Sequence, residues 1–225
     1  AVLDGKLLDF HGHMVRLARS LRELQLASPA SDDRLLQLHR EIVQRNNLVE
    51  GIIYMQITRG VADRDFVWPK DAVPSLVMFT QNKDLEETLQ AETGIKVATI
   101  ADIRWGRRDI KTIQLLAPSW AKMQAKALGA DDAWLVDDDG FVNEGTSNNA
   151  WIITRDGTIV TRQLSNSILH GITRLGVVGS AGHAGFVVQE RPFTVDEAKH
   201  AAEAFFTSSG AFVTPVVQID DVVIG

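Results

Sequence analysis

The chain has 225 residues, 45% of them hydrophobic and 23% charged, with a formal net charge of −6. That apolar content buries one large core or two smaller ones, and the acidic balance lacks the basic footprint of a nucleic-acid binder. Cysteine is absent, which excludes disulfides, thiolate metal sites and a cysteine nucleophile. No apolar run reaches the roughly 18 residues that span a bilayer. Ala1 to Phe10 carries neither the basic nor the apolar region of a signal peptide. The expected setting is cytoplasmic, with no membrane and no nucleic-acid partner.

His11 to Leu26 places Met14, Leu17, Leu21 and Leu24 at helical spacing and predicts an amphipathic helix. Ser28-Pro29-Ala30 ends it. Ser31 then reads as an N-cap, with Asp32 and Asp33 in a first turn where carboxylates suit the helix dipole. This second helix runs through Leu35, Leu38 and Ile42 to about Asn46. Gly51 to Gly60 is rich in β-branched residues between glycines and predicts a strand, as do Val73 to Thr80 and Val97 to Trp105. The polar, acidic stretch Gln81 to Thr93 is the expected linker. A helix opens near Pro118, since proline suits an early helical position. Short strands are expected at Ala133–Val136, Ala150–Thr154 and Thr158–Thr161, with turns at Asp138-Asp139-Gly140 and Arg155-Asp156-Gly157. Thr194 and Glu197 form a capping-box pattern that predicts a helix to about Ala204, and Phe205–Thr207 and Phe212–Ile219 read as closing strands. The pattern is α+β in two domains, residues 1–86 and 87–225.

Taken singly, the residues with chemical potential leave alternatives open. Lys111 precedes Ile113, Leu115 and Leu116. Apolar cover would desolvate its ammonium and free a nucleophilic amine; the competing reading is a surface lysine whose stem lies over apolar surface. Glu144, followed by Gly145-Thr146-Ser147-Asn148-Asn149, is either a ligand-facing carboxylate or part of a hydrated turn. Gly171-Ile172-Thr173-Arg174 opens a helix whose amides suit a phosphate, or is an ordinary helix start. His11 and His13 lie on different helix faces, and His170, His183 and His200 lack partners at metal-ligand spacing. Nucleophile-elbow, P-loop and dinucleotide motifs are absent.

Together these segments carry a resemblance. Asp102-Ile103-Arg104-Trp105 with Asp109-Ile110-Lys111 resembles the lysine segment of D-amino-acid aminotransferases. Glu144 to Asn149 is similar to that family's cofactor loop, and Ile168 to Arg174 to its phosphate-cup helix start. Ile53 to Gly60 matches its substrate-domain strand, and Thr207 to Gly210 with Val213 to Val216 its C-terminal loop. The segments occur in the family's order over nearly the whole chain. The resemblance implies the two-domain fold type IV of pyridoxal-5′-phosphate (PLP) enzymes. It also implies that family members begin upstream of Ala1, where they use a tyrosine, and continue past Gly225 into a closing helix.

By the same resemblance, Lys111 is the catalytic residue and carries PLP as a Schiff base. Glu144 pairs with the pyridine nitrogen. Arg16, Ile172, Thr173 and Ser209 hold the phosphate, and Leu169 packs on the ring or is an ordinary core leucine. Substrate contacts fall to Arg64, Phe66 and Gly210. Here the chain departs from the family's Arg-x-His pair for the α-carboxylate: Asp63-Arg64-Asp65-Phe66 keeps the arginine but has Phe66 in place of the histidine, and Asp65 is a potential competitor for Arg64. The implied reaction transfers an amino group from a D-amino acid, with (R)-primary amines as further donors, to a 2-oxo acid, in a homodimer. A branched-chain L-amino-acid aminotransferase and an aminodeoxychorismate-type lyase share the fold. The Asp-Ile-Lys segment argues against the former. Retention of Lys111, Glu144 and Arg16 argues against a non-catalytic scaffold.

Overall fold

Ser31 behaves as its position predicts. Its hydroxyl accepts the Arg34 amide at 3.3 Å and opens the helix Asp32–Arg45 with Asp32 and Asp33 in the first turn. The computed structural model describes all residues from Ala1 to Gly225 and divides into two units, Ala1–Leu85 and Glu86–Gly225.

In the first unit, β1 (Val2–Leu3), β2 (Lys6–Leu7), β3 (Gly51–Thr58) and β4 (Ser75–Asn82) form a four-stranded antiparallel sheet in the order β2-β1-β3-β4. The helices are α1 (Phe10–Glu23) and α2 (Asp32–Arg45). Val2, Val43 and Leu48 make a small core, with Leu7 and Ile53 packed against it. The first two strands are too short to show a period of two, so the sequence did not reveal them. Arg59, just past β3, ties back to the end of α1 by donating to the carbonyls of Gln25 and Leu24.

The second unit holds α3 (Leu89–Thr93), β5 (Ile95–Ala101), α4 (Leu116–Ala127), β6 (Asp132–Val136), β7 (Val142–Gly145), β8 (Asn149–Ile153), β9 (Ile159–Thr161), α5 (Ile172–His183), β10 (Val188–Glu190), α6 (Val195–Lys199), β11 (Glu203–Ser208), β12 (Phe212–Ile219) and β13 (Val222–Val223). Nine strands form one mixed sheet, β10-β9-β8-β11-β12-β5-β6-β7, with β13 on β12. Next to the edge strand β7, β6 is buried on both faces. Trp134 meets Phe193 edge-on at 6.1 Å on one side, while Ala133 and Leu135 pack on the small residues Ala121 and Ala125 of α4 on the other. Alanines one helical turn apart let that helix approach the sheet closely.

Three expectations are corrected. The strand expected over Val97–Trp105 stops at Ala101, because Asp102 turns its carboxylate onto Arg104. Val142–Gly145 is a buried strand rather than a loop. The helix opened by Thr194 ends at Lys199, not Ala204: residues 203–208 are drawn into the sheet between β8 and β12. Thr194 still caps, accepting the Glu197 amide at 3.1 Å, but the Glu197 carboxylate pairs with Arg191, so the capping box is half made.

Candidate active site

Within the second unit, the site is organised around Glu144. Its strand, β7, pairs with β6 so that Leu135 lies opposite Glu144. The carboxyl is buried, with 3% exposure. A lone carboxylate there would be costly, and its partners come from three other segments. Arg104 Nη1 donates to Oε1 at 2.6 Å, Asn149 Nδ2 donates to Oε2 at 2.8 Å, and the Leu169 amide donates to both oxygens at 3.1 Å.

Arg104 is itself shared. Its Nε and Nη2 donate to Asp102 at 2.9 and 2.8 Å, and Asn143 and Arg108 also reach Asp102, at 2.8 and 3.3 Å. Two carboxylates and two guanidinium groups thus balance in one buried cluster. Burial pushes the Glu144 carboxyl up to about 7, against the pull of Arg104 and the Leu169 amide. Burial acts on Asp102 in the same sense and is the largest single influence, but the hydrogen bonds and charge of Arg104, with Asn143 and Arg108, together outweigh it and hold Asp102 below the usual carboxylate range. Arg104, opposed by burial, is held above its ordinary value by Asp102 and Glu144.

Lys111 follows a pinned segment. The Asp102 amide donates to Val136 O at 2.8 Å, the Arg108 amide donates to Asn166 O at 3.0 Å, and fully buried Asp109 pairs with Arg107 at 3.0 Å. Lys111 itself is exposed, as are Ile113, Leu115 and Leu116. The neighbouring apolar run therefore does not desolvate the lysine within this chain.

Leu169, half-buried, leads through Gly171 into α5, so Ile172 and Thr173 are its first helical residues. Gly171 caps α5 with no side-chain hydrogen bond, and first-turn amides have no intrahelical partner. Ser209 and Gly210 form the turn between β11 and β12, closed by the Ser208–Phe212 pair. The structure thus brings Glu144, Leu169 and the opening of α5 together.

Arg16, Arg64 and Phe66 belong to the first unit. Arg16 lies on α1, with Nη2 3.1 Å from His13 Nδ1, and burial lowers its guanidinium to about 10. Arg64 and Phe66 sit between β3 and β4. Phe66 is 91% exposed, and the Arg64 guanidinium lies over its ring at 5.5 Å. Asp65 accepts the amides of Phe66 and Val67 at 2.6 and 3.2 Å, so its carboxylate serves the turn rather than Arg64.

Sequence reasoning did not single out Asn149 or the Arg104–Asp102 pair by function. The alternation in Asp102-Ile103-Arg104 was the readable signal for the pair; nothing local pointed from either toward Glu144.

The residues present fit PLP. Three N–H donors meet a carboxylate that offers about four acceptor sites, the Leu169 amide being shared between both oxygens, so that settling this shared bond on one oxygen frees a site for a pyridinium N–H. At the other end, the uncapped amides of α5 suit a phosphate.

Comparison with known proteins agrees. The model of the amino-transferase class IV family matches residues 1–219. The D-alanine aminotransferase of Staphylococcus aureus (strain MSSA476) is 38% identical over 220 residues, covering 97% of this chain and 77% of that protein. A provisionally named 4-amino-4-deoxychorismate lyase from Legionella pneumophila subsp. pneumophila str. Philadelphia 1 superposes with a TM-score of 0.89 at 25% identity, over all of this chain and 82% of that one. The T.th. branched-chain amino acid aminotransferase, complexed with N-(5′-phosphopyridoxyl)-L-glutamate, gives 0.82 at 30% identity, over 96% and 72%. The chain belongs to the class IV aminotransferases and is a PLP-dependent aminotransferase.

Proposed function

We propose that this enzyme transfers the amino group of a D-amino acid, of the D-alanine or D-glutamate type, to a 2-oxo acid, with (R)-primary amines as further donors. The observation that carries this reading is the 38% identity to a D-alanine aminotransferase over 97% of the chain. The branched-chain and lyase alternatives draw on structural relatives of lower sequence identity.

When bound, the protonated pyridine ring of PLP withdraws the electron pair left at the substrate Cα. Around it the chain's own groups divide the work. Lys111 would hold the cofactor, and once the substrate amine has displaced it, its freed amine would take the Cα proton and deliver it onward as general base and then acid. Glu144, oriented by Arg104, Asn149 and the Leu169 amide, would accept the ring-nitrogen N–H and hold the proton there. Arg16, the amides of Ile172 and Thr173 and the Ser209 hydroxyl bind the phosphate, the arginine by paired N–H donors. Leu169 supports the ring. Arg64 binds the substrate α-carboxylate, while Phe66 and Gly210 shape the space beside it.

The exposed apolar run Ile113, Leu115, Leu116 beside Lys111 supports a homodimer in which a second copy covers it. No helix is long and apolar enough to cross a membrane, in keeping with a cytoplasmic enzyme. The test is a half-reaction on the holoenzyme: single donors are added and the visible absorption of the cofactor is followed. D-Alanine should bleach it and L-leucine should not. Bleaching by L-leucine alone, or pyruvate release from aminodeoxychorismate with no bleaching by D-alanine, would replace this reading.

A further inference from the structure

Asn149 occupies a position that no cofactor-contact role explains. It is the first residue of β8, is 4% exposed, and commits its whole amide to the junction between two ends of the candidate cradle. Nδ2 donates to Glu144 Oε2 at 2.8 Å and to Leu169 O at 3.0 Å. The Leu169 amide returns to both Glu144 oxygens at 3.1 Å. Carboxylate, peptide and amide therefore close a small ring of hydrogen bonds.

A second observation reaches the same residue from the other side. A Cβ on Gly171, the cap of α5, would lie 2.0 Å from Asn149 Oδ1 and 3.2 Å from its Cγ. Gly171 has φ −66 and ψ 135, a conformation open to any residue. Glycine is needed there for room, and the room is filled by the asparagine oxygen. The amide orientation follows from chemistry: turning it over would aim an oxygen at the carboxylate and the Leu169 carbonyl.

We propose that Asn149 is a positioning residue that locks the Glu144 carboxylate to the opening of α5, fixing the separation between the ring-nitrogen end and the phosphate end of the cofactor site. The inference rests on the assignment of Glu144 and α5 to PLP. Few side chains satisfy the geometry. Aspartate would set an anion against Glu144, alanine supplies no donor, and glutamine is one methylene too long.

The experiment compares wild type, Asn149→Ala, Gly171→Ala and the double variant as full chains freed of cofactor. Calorimetric titrations use pyridoxamine 5′-phosphate, which forms no bond to Lys111, and inorganic phosphate. Each single variant should bind pyridoxamine 5′-phosphate about tenfold or more weakly, the scale of a lost hydrogen bond to a charged group, with phosphate binding unchanged. The double variant should be no worse than either single one, because removing the asparagine oxygen makes room for the new Cβ. Melting temperatures are measured alongside. A variant that melts lower yet binds pyridoxamine 5′-phosphate as wild type overturns the proposal, and so do additive losses in the double variant. Should Asn149→Ala not fold, Gly171→Ala still tests the contact, since it displaces the side chain without deleting it. Failure of the wild-type chain to bind pyridoxamine 5′-phosphate would overturn the cofactor assignment itself, and is distinct from a wild type that binds alongside variants that do not differ from it.

Discussion

The two regions for which chemical roles are proposed are built in opposite ways. Around Glu144 the partners are fixed: Arg104, Asn149 and Leu169 converge on one buried carboxylate. Between β3 and β4, by contrast, Val61, Phe66 and Val67 are exposed, Arg64 lies over a solvated ring, and Asp65 bonds only its own turn. The first region is held by partners from across the second unit, so its geometry is set before any ligand arrives. The second is held by contacts within a few residues. Preorganisation matters most where charge develops in the reaction, while a locally supported loop can change composition without disturbing a core. The cofactor end is therefore expected to be intolerant of substitution, and the substrate end to be the place where specificity changes.

The largest effect should come from Lys111. Lys111→Ala should abolish the visible cofactor band and lower turnover by about 10²–10⁴-fold or more; a variant still turning over near the wild-type rate would remove the catalytic assignment. Next is Glu144→Gln, which should keep the fold and still bind PLP while losing on the order of 10²-fold in rate. A loss of only a few-fold would mean that the buried cluster is architecture alone.

Arg64 tests the other side of the contrast. Arg64→Ala should raise KM for D-alanine by the equivalent of about 1–3 kcal/mol and leave (R)-1-phenylethylamine nearly untouched, since that donor offers no anion. Equal losses for both would make the arginine structural. Phe66→His should move kcat/KM toward D-alanine by a smaller factor, by restoring a donor and removing an apolar ring.

The last effect is thermodynamic. Folding raises the Glu144 carboxyl from 4.5 to about 7, so the native chain takes up a proton between those values. Its contribution to stability is fully present below 4.5 and is lost as pH rises through 7. Urea midpoints of the cofactor-free chain should fall across that window relative to Glu144→Gln. Parallel curves would show the carboxylate already ionised at the acid end of the window and secured by Arg104.

What could be read in the sequence follows the range of the interactions. The Ser31 cap, the turns at Gly140 and Gly157, and β3 depend on neighbours within a few positions, and they stand where the pattern put them. Glu144 is the instructive failure. Val142-Asn143-Glu144-Gly145 is polar enough to pass for a hydrated turn, yet it is a buried strand. The Glu144 oxygens are satisfied by Arg104 and Leu169, which lie 40 and 25 residues away along the chain. No local period carries that information. The overextended helix after Thr194 failed for a related reason: Ala201 and Ala202 favour helix, but pairing with β8 and β12 claims the residues that follow. The family resemblance assigns roles to Lys111 and Glu144 where spacing alone leaves them open. It places Asn149 in the cofactor loop without giving it a role; the role proposed for it rests on contacts with Glu144, Leu169 and Gly171.

Trp68 gives the open loop a voice of its own. It is the sole indole of the first unit, half-exposed, with the Arg59 guanidinium 3.7 Å above its ring. The other indoles, Trp105, Trp120, Trp134 and Trp151, lie in the second unit, where Trp134 and Trp151 are fully buried. A cation over an indole alters both the colour and the yield of its emission. Any shift of the Arg64–Phe66 segment that slides Trp68 from beneath Arg59 therefore becomes an optical signal from one identifiable fluorophore, separable from the rest by replacing Trp68 with phenylalanine.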